Sequence, residues 1–205
     1  MSKSCSSWAA AARVAGAGRI LRCLVKGNSA SSGGGVSIVG SGVVENSLIT
    51  GNRSHYGAAQ MNSMSAWLVN CTVAGNSSAG QPYPGVWLED NGGNTLNCVA
   101  FDSYSAKGWG TTSHCALGVT PQVIVTPSQA TFDKNVTVDS GIFEDTTGYR
   151  PKKGTALHGN GSNAGYAEHA VSATDYEGSP RRRGRRIDIG HIELPPKDGM
   201  MLFVR

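Results

Sequence analysis

Arg22-Cys23-Leu24-Val25-Lys26-Gly27-Asn28 returns as Asn46-Ser47-Leu48-Ile49-Thr50-Gly51-Asn52 and again as Asn70-Cys71-Thr72-Val73-Ala74-Gly75-Asn76, each step being 24 residues. An eroded fourth copy, Asn97-Cys98-Val99-Ala100-Phe101-Asp102, follows after 27. A constant period of this length with strand-like content specifies stacked coils, because one such unit cannot bury its apolar face alone. Within each copy small or apolar residues alternate: Cys23 and Val25, Ser47 and Ile49, Cys71 and Val73. Alternation is the period of a strand with one face turned inward.

Two further strands complete each unit. Gly35-Val36-Ser37-Ile38, Ala58-Ala59-Gln60-Met61 and Gly85-Val86-Trp87-Leu88 follow the phrase at unequal distances, so a loop of variable length lies between. Ile20, then Val43-Val44, then Trp67-Leu68 precede it. Three short strands joined by tight turns make a triangular coil, and stacking sets equivalent positions about 4.8 Å apart. Ile20, Val44 and Leu68 lie three residues before Cys23, Ser47 and Cys71, so simple alternation would place the two sets on opposite faces. Both sets are apolar or small, so the chain is expected to bend between them. Asn46, Asn70 and Asn97 occupy that corner, where Asn tolerates the left-handed backbone and can hydrogen-bond from coil to coil. Arg22 breaks the series, which marks the first coil as peripheral. Asn28, Asn52 and Asn76, each after a glycine, form a second turn series.

The chain has 205 residues, enough for one domain with a small appendage. Sparse charge (16%) and 28 glycines suit an apolar interior with permissive corners. No run reaches the roughly 18 apolar residues of a membrane span. Residues 1–18 make a poor secretory signal, with Lys3 and Arg13 around a short apolar stretch. They read as a helix capping the open end of the stack, or as a miscalled start within a longer frame. Residues 19–145 then hold the coils, and 146–205 form a loop-rich closing segment expected to cover the last coil.

The five cysteines follow the coil period rather than a metal-ligand spacing, with no CxxC pair. Cys23 and Cys71 lie two coils apart, about 9.6 Å at the usual spacing, which is too far for a disulfide. They read as buried members of a core stack. Cys5 and Cys115 have no assignment from sequence. Asn-x-Ser/Thr sequons begin at Asn52, Asn70, Asn76, Asn135 and Asn160, but the first three are explained by the turn series.

Residues 19–118 resemble the right-handed parallel β-helix repeats of bacterial surface and secreted proteins; the right hand is what the rule for parallel crossovers requires. The fold class is therefore all-β, a right-handed parallel β-helix with a C-terminal closing segment. Asp175-Tyr176-Glu177-Gly178-Ser179-Pro180-Arg181, then Ile187-Asp188-Ile189-Gly190 and Glu193, is similar to the C-terminal D-x-x-G-x-P-R…D-I-G-A-x-E signature of "choice-of-anchor" surface proteins. His191 stands where that signature usually has Ala. The motif that precedes it in that family is degraded to Gly154-Thr155-Ala156-Leu157-His158-Gly159. The family's Asp is lost there, and with it the basis for any polar contact it makes. The resemblance implies an extracellular or cell-surface location, often in large modular proteins of undefined activity; the function expected here is a non-catalytic structural or adhesive module, with a polysaccharide or cell-surface glycan as the candidate partner.

The alternative is a β-helix polysaccharide lyase or glycoside hydrolase, or a fragment of one. A lyase needs a base and a means of neutralising a uronate, a hydrolase two carboxylates flanking the bond. Glu45, Glu89, Asp90 and Asp102 are the acids of the coils, with Arg53, His55 and Lys107 as bases. The acids do not recur at stacked positions, so no convergent pair is expected. Asp175, Glu177 and Asp188 offer a weak Ca²⁺ site, short of carboxylates and matching no loop template; turn formation and salt bridging explain them better. No metal or other cofactor is expected. Arg181, Arg182, Arg183, Arg185 and Arg186 form the one charge run and account for much of the net charge of +4. Such a run is most often a solvated loop; as a binding element it suits an anionic glycan or lipid headgroup, while nucleic acid is disfavoured by the lack of a basic helical face or an aromatic platform. Trp87 alternates with Val86 and Leu88 and so faces outward. An aromatic face packs well on a sugar ring, which makes Trp87 with Tyr83 the expected glycan contact.

Overall fold

The computed structural model describes residues 12–80, 83–118, 130–183 and 185–196. It is a parallel β-solenoid of about five turns with about 24 residues per turn. One sheet stacks Arg19–Leu21, Val43–Glu45, Trp67–Val69, Asn94–Leu96, Gly110–Ser113 and Ala130–Asp133. The second stacks Leu24–Lys26, Leu48–Thr50, Thr72–Val73, Val99–Ala100, Ala116–Gly118 and Val136–Val138. The third stacks Ala12–Val14, Val36–Ile38, Ala59–Met61, Val86–Leu88 and Tyr104–Ala106. The register is the one the repeat demands: Leu24 pairs with Leu48, Leu48 with Thr72, Thr72 with Val99. In the early coils the variable loop adds a small fourth sheet, Ser29–Ser32, Arg53–Tyr56 and Ser77–Ser78.

The bend between the first two sheets works through backbone conformation. Arg22, Asn46, Asn70, Asn97, His114 and Lys134 all have φ between 49° and 53°, the left-handed region that Asn tolerates better than most residues. That turn puts Val44, Leu68, Ser47 and Cys71 all into the interior. The corner does not stop where the phrase stops. His114 and Lys134 repeat it at steps of 17 and 20 residues, which places Cys115 in the same stack as Cys71 and Cys98. Each thiol accepts the backbone N–H of the cysteine one coil earlier, at 3.4 and 3.3 Å. Burial pushes the thiols of Cys98 and Cys115 well above their usual pKa. The four described cysteines are free. Cys23, expected to be buried, is exposed, because the coil that would stack on its outer side is absent among the described residues.

The coil-to-coil amide ladder is most complete at the second turn series. Asn28 donates to Asn52 at 3.0 Å, Asn52 to Asn76 at 3.1 Å, and Asn76 to the carboxylate of Asp102 at 2.9 Å. The same oxygens accept the backbone N–H of the residue one coil earlier. Asp102, which also takes the N–H of Gly75, closes the ladder. Its pKa is raised because burial outweighs these bonds.

Two expectations change. Within residues 12–18 the chain is not a cap helix: Ala12–Val14 is a strand paired with Val36–Ile38; the rest of the expected helix lies outside the described residues, as does Gln122-Val123-Ile124-Val125, which reads as a strand in the sequence. The closing segment is also placed differently. It lies along the flank and crosses several coils rather than covering the last one. Leu157, Ile189, Phe143 and Tyr149 pack on the outward residues Leu48, Val99 and Ala116 of the second sheet. Tyr166 and Ala170 pack on Val43, Val69 and Leu96 of the first. These outward positions are apolar because a second layer covers them.

Candidate functional site

The C-terminal signature forms a buried polar clasp. Asp175, Arg181, Asp188, His191 and Glu193 are all buried. Asp175 accepts the N–H groups of Ser179 (2.7 Å) and Glu193 (2.9 Å). Asp188 accepts those of Gly159 and Leu194, and Glu193 accepts that of Asp188 at 3.0 Å. Arg181, 1% exposed, lies 3.8 Å from Glu193 and donates to the carbonyls of Asp188 and Gly190. Both carboxylates of the signature's aspartates are thus occupied by backbone N–H groups. Glu177 lies elsewhere, paired with Arg150 at the surface.

The corner asparagines anchor this clasp to the coils. Asn46 donates to Tyr166 Oη (3.1 Å) and to the carbonyl of Thr174 (3.0 Å), and Asn70 to the carbonyl of Asp188 (3.0 Å). Asn97 exchanges two bonds with Ser162, the N-cap of the helix Asn163–His169. Glu45, one of the acids weighed for catalysis, accepts the N–H groups of Val171 and Ser172 at 2.9 and 2.7 Å. His191 Nδ1 meets Thr72 Oγ1 at 2.8 Å.

Three titratable groups of the clasp are displaced from their ordinary pKa. Burial raises Glu193 to about 8; the attraction of Arg181 opposes this and the nearby Asp188 charge adds to it. Burial, with help from Arg181, lowers His191 to about 3. Asp188 is also raised, mainly by burial.

The expected ligand contacts separate into different environments. Trp87 does face outward, opposite Val86 and Leu88, but it is only 9% exposed. Tyr83 and Tyr56 cover it, their rings 4.9 and 5.6 Å from its own. Tyr83 is half-buried and Tyr56 exposed, so the tyrosines present most of this patch's aromatic surface. Arg181 leaves the arginine run for the clasp, whereas Arg182, Arg183, Arg185 and Arg186 are exposed. These arginines flank the clasp on the first two sheets, and Trp87 belongs to the third, so the two groups do not converge.

The remaining coil acids also have local partners. Glu89 accepts from Gln60 at 2.9 Å, and Asp90 pairs with Lys107 at 2.7 Å. Among the described residues no group of three His, Cys, Asp or Glu side chains is placed to hold a metal ion. No helix among them is long and apolar enough to cross a membrane.

A groove that the sequence did not single out lies where the third sheet turns into the first. It has a volume of about 520 Å³ and is lined by Asn62, Ser63, Met64, Asp90, Asn91 and Trp109, with Gly40 at its end. Trp109 is 47% exposed and Met64 61%. The turns stack without room for side chains: a Cβ on Gly92 would lie 1.6 Å from the Trp109 carbonyl, and one on Gly110 1.8 Å from that of Gly93. Trp109 carries no periodic signal, which is why the pattern of the coils does not expose it. A smaller groove of about 290 Å³ lies between Leu24, Lys26, Arg150, Tyr176 and Glu177.

Comparison with family models, with curated proteins and with solved structures finds no match to this chain.

Proposed function

We propose that this chain is a non-catalytic, secreted or cell-surface β-helix module with a structural or adhesive role, meeting an extended glycan along its flank. One observation carries the reading: the acids of the coils serve structural bonds. Glu45 holds the closing segment, Asp102 ends the amide ladder, Glu89 binds Gln60 and Asp90 binds Lys107. A general acid–base pair must converge on one bond; Glu45 and Asp102 lie apart from the adjacent Glu89 and Asp90, and each of the four is held by a different partner. The exposed aromatic and polar side chains, by contrast, line open surface.

The test is a panel of polyuronates and neutral glycans, read for release of reducing or unsaturated sugars and, in parallel, for binding on a glycan array. Binding without release is the expected result. Release of sugar from any member of the panel, abolished on denaturation, would overturn the reading in favour of a β-helix lyase or hydrolase.

A further inference from the structure

We propose that the Trp109 groove is a subsite for a neutral sugar chain, with the Trp109 indole as the platform for one pyranose ring. The assignment rests on the adhesive reading above and names its contact site. The groove joins the two features a sugar requires. An exposed indole offers a flat apolar surface to the C–H face of a pyranose, and planar polar side chains beside it bond the ring hydroxyls.

Asn91 donates to Asn62 at 2.9 Å. Each amide carries two donor hydrogens and an acceptor oxygen, so this bond leaves the Asn62 amino group and the Asn91 carbonyl with hydrogen-bonding capacity at the groove. Ser63 adds a hydroxyl at the same edge. The charge of the groove is balanced, because Lys107 neutralises Asp90 at 2.7 Å; this selects a neutral chain over a uronate. The lining residues come from successive turns, and the coil spacing of about 4.8 Å is close to the advance of one sugar along an extended glycan. Turn stacking fixes the backbone at Trp109, since Gly92, Gly108 and Gly110 each leave no space for a Cβ. The backbone that carries the platform is therefore set before a ligand arrives, which lowers the backbone part of the ordering cost of binding.

The test uses the full chain with cellohexaose, xylohexaose and mannohexaose as neutral probes and hexagalacturonate as the anionic one, by calorimetry. At least one neutral probe should bind. Trp109→Ala should weaken it by about tenfold or more, the effect of removing an aromatic anchor, while Trp109→Phe keeps most of the affinity. Tyr83→Ala, on the other aromatic patch, should leave it unchanged. The wild-type chain gives a second readout free of folding effects: the Trp109 indole N–H resonance should shift on titration. An unmoved resonance, unchanged affinity in Trp109→Ala, or preference for hexagalacturonate would each overturn the subsite. So would silence toward all four probes. None of these results involves sugar release, which is the outcome that would overturn the adhesive reading itself.

Discussion

Six residues take the same left-handed corner, yet only three of them are Asn. Arg22, His114 and Lys134 adopt φ of 53°, 51° and 53° beside the 49°, 49° and 53° of Asn46, Asn70 and Asn97. Backbone tolerance therefore does not by itself select the side chain. Where the corner is Asn, the amide bonds the closing segment. Substitution separates the two contributions. Asn70→Gly keeps the left-handed conformation and loses the side-chain bonds to Asp188 and Asn97; Asn70→Ala loses these and the conformation. Thermal or denaturant melting should show Gly destabilising by about 1–2 kcal/mol for the buried bonds, and Ala by about a further 1 kcal/mol for the backbone. Equal losses would remove conformation from the account. Inside the coil, Val73 is fully buried in the core. Val73→Asp buries an unpaired carboxylate, and the expected result is loss of the folded state by circular dichroism. A folded variant with an unchanged melting curve would contradict the register.

At the scale of elements, the clasp makes stability depend on pH in two opposed ways. Glu193 holds its proton in the fold up to about pH 8, against an ordinary value of 4.5. Its contribution is complete below pH 4.5, falls as pH rises and is lost at about pH 8. His191 is depressed from 6.5 to about 3, so its contribution is present above pH 6.5 and is lost as pH falls toward 3. The two windows overlap from about pH 4.5 to 6.5, where the opposed slopes offset each other, so melting temperature should be level there and decline on both sides. Each limb amounts to a few kcal/mol at most, at about 1.4 kcal/mol per pKa unit. Glu193→Gln should flatten the alkaline limb and His191→Ala the acid one. A Glu193→Gln variant with an unaltered alkaline decline would show that another group controls it.

The strands themselves were legible because a stacked coil imposes its period on the chain. Val44, Leu68, Cys71 and Val73 are buried as that period requires. The later coils were less so: their steps shorten to 17 and 20 residues, and His114 and Lys134 carry the corner without an Asn to mark it. Trp87 shows a different limit. Alternation gave its direction, but the tyrosines that cover it come from outside its own sheet, Tyr56 from the end of a fourth-sheet strand and Tyr83 from a connecting segment. The acids and arginine of the C-terminal signature look like surface or ligand groups in one dimension. The acids are partnered by backbone N–H groups and the arginine by backbone carbonyls in other parts of the closing segment, so only the folded chain shows them as a clasp.

For the whole molecule, the repeat and the closing segment form one packed unit. The inner core runs through the coils. The second apolar layer requires the closing segment: Leu48, Val99 and Ala116 would face water without Leu157, Phe143 and Ile189. The central claim is that the coils and this lateral clasp stand and fall together, and native-state hydrogen exchange measures it directly. Amides of Leu48–Thr50, Thr72–Val73 and the 187–194 segment should lose protection at the same denaturant concentration, as one cooperative unit. Rapid exchange across 187–194 while the coil strands stay protected would contradict the account.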